Sequence, residues 1–149
     1  QVVRLGRHDV GKHLRQAITL NAGLAHPYYN LGRLAWERRQ TEEAERLLRR
    51  SIELDANSSD AWNLLALVVE SKGRYDEAMD CLHKALDIRP WDPLAHFNLG
   101  RHYLLKGRAD LALPHLTRFT ELSPEDPQTK EIEELIRNIQ NGATTKPQP

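Results

Sequence analysis

The sequence contains little cysteine and no long apolar run. Cys81 is the only cysteine among the 149 residues, so no disulfide can form within the chain. This composition favours a reducing compartment such as the cytoplasm without requiring it. No apolar run approaches the roughly 18 residues of a membrane-spanning helix, so the sequence predicts no span. The first ten residues, QVVRLGRHDV, lack the apolar segment of a secretory signal, although processing can remove such a segment.

An excess charge of either sign is also absent. Lys and Arg number 21, Asp and Glu number 21, and the formal net charge at pH 7 is +0. Nucleic acids and anionic membranes attract a net positive charge, and this chain offers none overall. We therefore expect neither nucleic acid nor a membrane among its partners.

Recognisable catalytic or metal-binding motifs are missing as well. None of the seven histidines lies four residues from another, so no helical pair of metal ligands arises. The chain has no glycine-rich phosphate loop and no motif that joins a nucleophile to a base. His96 and Cys81 are interpreted as packing residues. The sequence predicts a protein that is not an enzyme and has no cofactor or metal, with a regulatory or docking segment of a larger enzyme as an alternative.

A period of 34 residues organises what is present. Apolar residues recur at spacings of three and four, which predicts helices and no strand. Three columns of identical residues recur at the period, namely Leu31, Leu65 and Leu99; Ala44, Ala78 and Ala112; and Leu48, Leu82 and Leu116. A fixed period of this length is typical of stacked helix pairs.

The columns resemble the tetratricopeptide repeat family, whose pattern is W-x2-L-G-x2-Y, then A-x3-F, then P. The middle repeat carries it as Trp62, Leu65, Ala66, Val69, Ala78, Leu82 and Pro90. The resemblance implies an all-α, right-handed α-solenoid of stacked antiparallel helix pairs with a C-terminal capping helix. Arg39 departs from the pattern where later repeats have Gly73 and Gly107, and Phe119 is large for its column, which predicts altered packing in the last repeat.

The repeat boundaries divide the chain into six segments. They are a truncated repeat with only its second helix at 1–24, three repeats at 25–58, 59–92 and 93–126, a capping helix at 127–141, and a disordered tail at 142–149. Local signals agree with this division. Thr41 and Ser58 or Ser59 are expected to cap helices, Gly73, Gly107 and Gly142 to end them, and Pro114 to bend the last repeat helix near Asp110.

The resemblance also implies a binding surface, because in this family the first helix of each pair lines a concave groove. The groove positions carried over by alignment are Tyr29, Asn30, Arg33, Trp36, Asn63, Leu64, Leu67, Leu94, Phe97, Asn98 and Arg101. Asn30 and Asn98 are expected to hold a peptide backbone, and Arg33 and Arg101 to hold carboxylates. The aromatic and leucine side chains are expected to provide apolar contacts.

We therefore expect a protein-interaction scaffold that binds a peptide or helix, with some acidic character and hydrophobic anchors. Simpler interpretations stay open: Arg33 and Arg101 as solvated surface residues, and Trp36 as a packing residue. A clamp for chaperone tails is disfavoured, because Leu64 replaces its central asparagine. The leading alternative is self-assembly into a homo-oligomer through an apolar face at residues 1–20, tested by charges at Val2, Val3 or Leu14.

Overall fold

The computed structural model describes the backbone of residues 7–21 and 23–142, and every regular element in those two ranges is an α-helix. The helices are α1 (Arg7–Leu20), α2 (Ala25–Glu37), α3 (Thr41–Leu54), α4 (Ser59–Ser71), α5 (Tyr75–Ile88), α6 (Pro93–Leu105), α7 (Ala109–Leu122) and α8 (Thr129–Gln140). The all-α fold class and its helix-pair repeat are confirmed. None of these helices has the length and apolar character needed to cross a bilayer.

Residues up to Ile88 form one compact unit, and residues from Arg89 form a second. In the first unit α2 pairs with α3 and α4 pairs with α5, while α1 packs on α2 and α3 on α4. Its core contains side chains less than 2% exposed, namely Leu48, Leu65, Val68, Val69 and Leu82. These residues include the repeating leucine columns, so burial explains why the period holds.

The second unit contains α6 paired with α7, with α8 packed on α7. Ala112 and Leu116 of α7 and Ile136 of α8 form its buried cluster. Phe119, the large residue in a small column, is 5% exposed, and its ring centroid lies 5.2 Å from that of Phe97. Pro114 lies inside α7, which continues to Leu122, and the bend expected near it stays a prediction.

The turn between the two helices of each pair repeats one backbone geometry. Arg39, Gly73 and Gly107 all have positive φ values, of 63°, 77° and 70°. In the first two turns the next amide donates to a carbonyl five residues earlier, from Gln40 to Ala35 at 2.9 Å and from Arg74 to Val69 at 3.1 Å. The left-handed residue directly precedes the donor, and this bond is the one that closes a helix C-terminus ending in a left-handed residue.

The small residues of one column allow the paired helices to approach closely. A Cβ atom added to Gly32 would lie 2.9 Å from Leu48 Cγ, and one added to Gly100 would lie 2.5 Å from Leu116 Cδ2. Both leucines are fully buried. Glycine therefore permits the helix contact that places the leucine columns in the core.

Helix caps agree only in part with expectation. The Ser58 side chain accepts a bond from the Ala61 amide at 3.2 Å, as predicted. The predicted Thr41 cap is wrong, because Thr41 is the first residue of α3 and the preceding Gln40 makes no side-chain cap bond. Gly142 follows the end of α8 with a φ of 74°, as expected for a helix stop.

In the second and third pairs, ring side chains of another column form hydrogen bonds to the preceding turn. Trp62 Nε1 donates to the Ala56 carbonyl at 2.9 Å. One repeat later, His96 Nε2 lies 2.8 Å from the Pro90 carbonyl, so Nε2 carries the proton. His96 Nδ1 also lies 3.0 Å from His115 Nδ1. His96 is therefore held by packing and hydrogen bonds, in agreement with its structural interpretation.

Candidate interaction surfaces

The first helices of the first unit present a mixed apolar and polar face. Tyr29, Arg33 and Trp36 recur at spacings of four and three on α2, which places them on one side of that helix. Tyr29 and Trp36 are half-buried and Arg33 is exposed. On α4, which contacts α2, Leu64 and Leu67 are also half-buried. The two helices therefore leave aromatic and aliphatic surface next to a cation.

Arg33 forms an ion pair within its own helix. Its Nη1 lies 2.8 Å from Glu37 Oε1, and the two side chains are 47% and 37% exposed. Exposed pairs of this kind contribute about 0–1 kcal/mol. A carboxylate from another molecule can compete for Arg33 at little cost.

The asparagines are less accessible than the sequence suggested. Asn30 is half-buried, and its Nδ2 donates to the His26 carbonyl at 3.2 Å. Asn63 and Asn98 are each only 4% exposed, because the surrounding helices cover them. The structure thus differs from the expectation of surface amides, and the role of Asn30 and Asn98 in holding a peptide backbone stays a prediction.

In the second unit, the predicted positions lie on α6 and differ in accessibility. Leu94 is 45% exposed, whereas Arg101 is half-buried. Phe97 is half-buried and directs part of its ring against Phe119. Of the predicted apolar anchors on α6, Leu94 is the more accessible.

The face proposed for self-association is described only in part. Val2 and Val3 lie outside the described residues. Leu14 is half-buried in α1, while Val10 is 37% exposed and Leu20 87% exposed. Homo-oligomerisation through this face stays a prediction.

Sequence reasoning missed a polar network in the first unit. Glu45 is 9% exposed and accepts hydrogen bonds from Arg49 at 2.8 Å, from Lys72 at 2.9 Å and from Arg74. Arg49 also reaches Glu77. Only the Glu45–Arg49 spacing of four residues could have indicated it, since the other partners come from the turn after α4 and from α5.

The network decides the charge state of Glu45. Burial alone raises the pKa of this carboxyl, but the hydrogen bonds from Arg74, Lys72 and Arg49 outweigh burial and lower the pKa to about 2. Glu45 is therefore ionised throughout the neutral range. It joins α3 to the turn that follows α4.

The remaining candidates for chemistry are the thiol of Cys81 and a metal site. Cys81 is buried, and burial, with the negative charge of Glu77, raises the pKa of its thiol to about 11. The thiol is therefore protonated at neutral pH and a poor nucleophile. Across the described part of the chain, no group of three or more His, Cys, Asp or Glu side chains is placed to hold a metal ion.

Comparison with known families agrees with the observed helix pairs. Two tetratricopeptide repeat family models match residues 29–93 and 71–136. The chain belongs to the tetratricopeptide repeat family.

Two curated relatives are similar in sequence to part of this chain. Anaphase-promoting complex subunit 7 of Dictyostelium discoideum is 28% identical over 103 residues, which are 68% of this chain and 18% of the relative. BBSome complex member bbs-4 of Caenorhabditis elegans is 29% identical over 68 residues, which are 46% of this chain and 15% of the relative. The chain thus spans less than a fifth of the length of either relative.

Three solved structures are similar to a larger part of this chain. MamA has a TM-score of 0.72 at 28% identity, covering 80% of this chain and 70% of that one. YrrB, described as a TPR protein with an unusual peptide-binding site, has a TM-score of 0.78 at 26% identity, covering 87% and 66%. The Yersinia enterocolitica translocator chaperone SycD, at 19% identity and a TM-score of 0.69, shows the fold alone.

Proposed function

We propose that this chain is a protein-interaction scaffold that binds a peptide or helix on the face formed by α2 and α4. The tetratricopeptide fold supports the scaffold role. The peptide-binding site named for YrrB supports a polypeptide as the ligand.

The observation that carries the proposal is the incomplete burial of large apolar side chains on this face. Tyr29, Trp36, Leu64 and Leu67 are all half-buried, and they lie on two helices in contact. Such side chains lose further apolar surface when a ligand covers them, and each 100 Å² so buried contributes about 2.5 kcal/mol before the costs of association. Anchors of this type dominate peptide affinity.

Arg33 adds a selective element beside these anchors. Its ion pair with Glu37 keeps the guanidinium oriented on the α2 surface. A ligand carboxylate can replace Glu37 through two parallel N–H···O bonds. The face therefore favours ligands that combine apolar side chains with an acidic one.

The first test uses a fluorescein-labelled peptide selected on the full chain from a displayed peptide library. We expect Leu64→Ala with Leu67→Ala to weaken its binding at least tenfold, because two apolar contacts are lost. Leu86→Ala is the control, because Leu86 is also half-buried but lies on α5, the second helix of its pair. Fluorescence anisotropy measures the affinities, and equal affinity of the double variant and wild type would contradict the proposal.

The second test addresses the cation. We expect Arg33→Ala to weaken the same peptide about five- to tenfold, roughly 1–1.4 kcal/mol, while the free energy of unfolding changes by less than about 0.5 kcal/mol. Arg118→Ala is the control, because Arg118 is also 47% exposed and paired to a glutamate on its own helix. An equal loss of affinity in both variants would mean that any surface cation attracts the peptide, and not Arg33 on this face in particular.

A further inference from the structure

The two helices of the proposed binding face contain two side-chain amides, Asn30 on α2 and Asn63 on α4. A side-chain amide both donates and accepts hydrogen bonds, so it can pair with the alternating N–H and C=O groups of an extended ligand backbone. The accessibility of these two amides therefore bears on the conformation of the ligand.

Both amides are already covered or engaged within the protein. Asn63 is 4% exposed, because the helices around it cover its side chain. Asn30 is half-buried, and its Nδ2 donates a hydrogen bond to the His26 carbonyl, one turn earlier in α2, at 3.2 Å. In the next repeat Leu64 occupies the position of Asn30, and its side chain forms no hydrogen bond. The face thus lacks a row of accessible amides for an extended backbone.

Other polar side chains of these helices have partners within their own helix. Arg33 pairs with Glu37 at 2.8 Å, and the Ser71 hydroxyl donates to the Val68 carbonyl at 2.6 Å. The large side chains that remain partly open to a ligand are half-buried and largely apolar, namely Tyr29, Trp36, Leu64 and Leu67. A ligand backbone that lies on this surface finds few hydrogen-bond partners there.

An α-helix satisfies its backbone on such a surface, and an extended chain does not. A helix pairs each N–H group with the carbonyl four residues earlier. An extended segment leaves the backbone groups that face the protein without partners once water is excluded, and each such group opposes binding. The hydrogen-bonding groups of the face therefore favour a helical ligand.

The spacing of the apolar side chains also matches a helix. Tyr29 and Trp36 are seven residues apart on α2, which is about 10.5 Å along the helix axis. A ligand helix packed alongside repeats its apolar side chains at the same interval, at positions i and i+7, with i+3 or i+4 between them. Residues on one face of a strand recur every ~6.7 Å instead, so the strand positions at ~6.7 and ~13.4 Å miss this interval.

From these observations, and resting on the proposed function of the same face, we infer that α2 and α4 bind an amphipathic α-helix of a partner protein and not an extended peptide. The apolar stripe of this helix packs between Tyr29 and Trp36 on one side and the two leucines of α4 on the other. An acidic residue beside the stripe reaches Arg33, which is 47% exposed and exchanges Glu37 for it.

The first test uses the fluorescein-labelled peptide selected for the anisotropy measurements. Two of its residues that tolerate alanine without loss of affinity are replaced by α-aminoisobutyrate, which favours helices and disfavours extended chains. The peptide with alanine at both positions is the matched control. We expect the aminoisobutyrate peptide to bind at least threefold more tightly than the control, because less conformational freedom is lost on binding. Weaker binding than the control would overturn the inference.

NMR measures the conformation of the bound peptide directly. The same peptide is synthesised with ¹³C at the Cα atoms of its central residues and titrated with the full chain. We expect these Cα signals to move downfield, as they do when a helix forms. Upfield movement, which accompanies an extended conformation, would overturn the inference.

Substitutions of Asn30 test the same inference from the side of the protein. Asn30→Leu gives α2 the residue that Leu64 provides in the next repeat, and we expect the peptide affinity to stay within about threefold or to rise. Asn30→Ala adds no bulk and should also keep the affinity within about threefold. A loss of tenfold or more in both variants would show that Asn30 holds a ligand backbone, against the inference.

The leucine variants separate failure of this inference from failure of the proposed function. If Leu64→Ala with Leu67→Ala weakens the peptide and aminoisobutyrate weakens it too, the face binds an extended chain and only the helical ligand is wrong. If the double variant binds as tightly as wild type, the peptide lies elsewhere and both proposals are wrong.

Discussion

At the scale of single residues, Arg39 is the clearest departure from the repeat. Its φ of 63° lies in the left-handed region, which costs a residue with a Cβ atom about 1–2 kcal/mol. Gly73 and Gly107 adopt the same conformation in the following repeats without that cost. The first turn keeps the shared geometry because the helices on either side are held by their core.

We predict that Arg39→Gly raises the free energy of unfolding by about 0.5–1 kcal/mol. The strain released exceeds the added entropy that glycine gives the unfolded chain. Urea denaturation followed by circular dichroism measures the change. Gly73→Ala is the reciprocal control and should lower stability by about 1 kcal/mol, and a stability loss in Arg39→Gly would show that its side chain, not its backbone, matters.

At the scale of elements, close helix approach distinguishes the third pair from the second. Gly100 faces Leu116 so closely that an added Cβ would overlap two of its carbon atoms, at 2.5 and 2.7 Å. The second pair has Ala66 in this column, 1% exposed, and accommodates its methyl group. The spacing of helices within each pair is therefore matched to the residue that occupies this column.

Gly100→Ala should destabilise the protein by about 1–3 kcal/mol, because Leu116 is buried on all sides and cannot move without strain. Gly32→Ala is expected to cost less, since its nearest Leu48 carbon lies at 2.9 Å. Thermal denaturation compares the two. A double-mutant cycle with Leu116→Ala should show partial rescue, and strict additivity would mean that the two side chains do not clash.

The Glu45 network makes the stability of the first unit depend on pH, and the pKa of Glu45 gives the direction of that dependence. The folded-state pKa of Glu45 is about 2, below the 4.5 that is ordinary for a glutamate side chain. Its contribution is therefore complete above about pH 4.5 and is lost as the pH falls through 2. Arg49 and Arg74 are 44% and 38% exposed, so solvent screening reduces the contribution to about 1–2 kcal/mol.

We predict that Glu45→Gln lowers the free energy of unfolding by about 1–2 kcal/mol at pH 7 and much less at pH 2. Glu53→Gln is the control, because its carboxylate is 63% exposed beside Arg50. Guanidinium is avoided for its ionic strength, and urea titrations at several pH values make the comparison. A loss in Glu45→Gln that is the same at both pH values would assign its effect to shape instead of charge.

At the scale of the whole molecule, each unit has its own core and its own terminal helix. In the second unit, Ile136 of α8 covers Ala112 and Leu116 of α7. Charged residues occupy much of the remaining surface of α8. An amphipathic terminal helix of this kind shields the open end of a repeat array from water.

Ile136→Asp should therefore destabilise the second unit by about 3 kcal/mol, since a carboxylate would replace a buried aliphatic group. Leu105→Asp is the matched control, because Leu105 is 71% exposed, and its cost should stay below about 1 kcal/mol. Hydrogen exchange at the α7 amides measures the loss of stability in that helix. Unchanged protection there would mean that α8 does not stabilise α7.

Much of this architecture could be predicted because the 34-residue period encodes it locally. The leucine columns and the turn glycines predicted paired helices, and the structure contains them. The Thr41 cap was wrong because the neighbouring Gln40 takes the capping position. The accessibility of Asn63 and Asn98 could not be predicted, since it depends on how closely adjacent helices cover each side chain.

The sequence by itself determined that helices pair in register, because apolar spacing and small residues act within one or two turns of the chain. Only the tertiary structure decided which polar residues meet. Glu45 accepts hydrogen bonds from Arg49 within α3 and from Lys72 and Arg74 in the turn between α4 and α5, at separations of 4, 27 and 29 residues. The separations of 27 and 29 residues match no helical spacing, so these partners follow from the packing of the backbone.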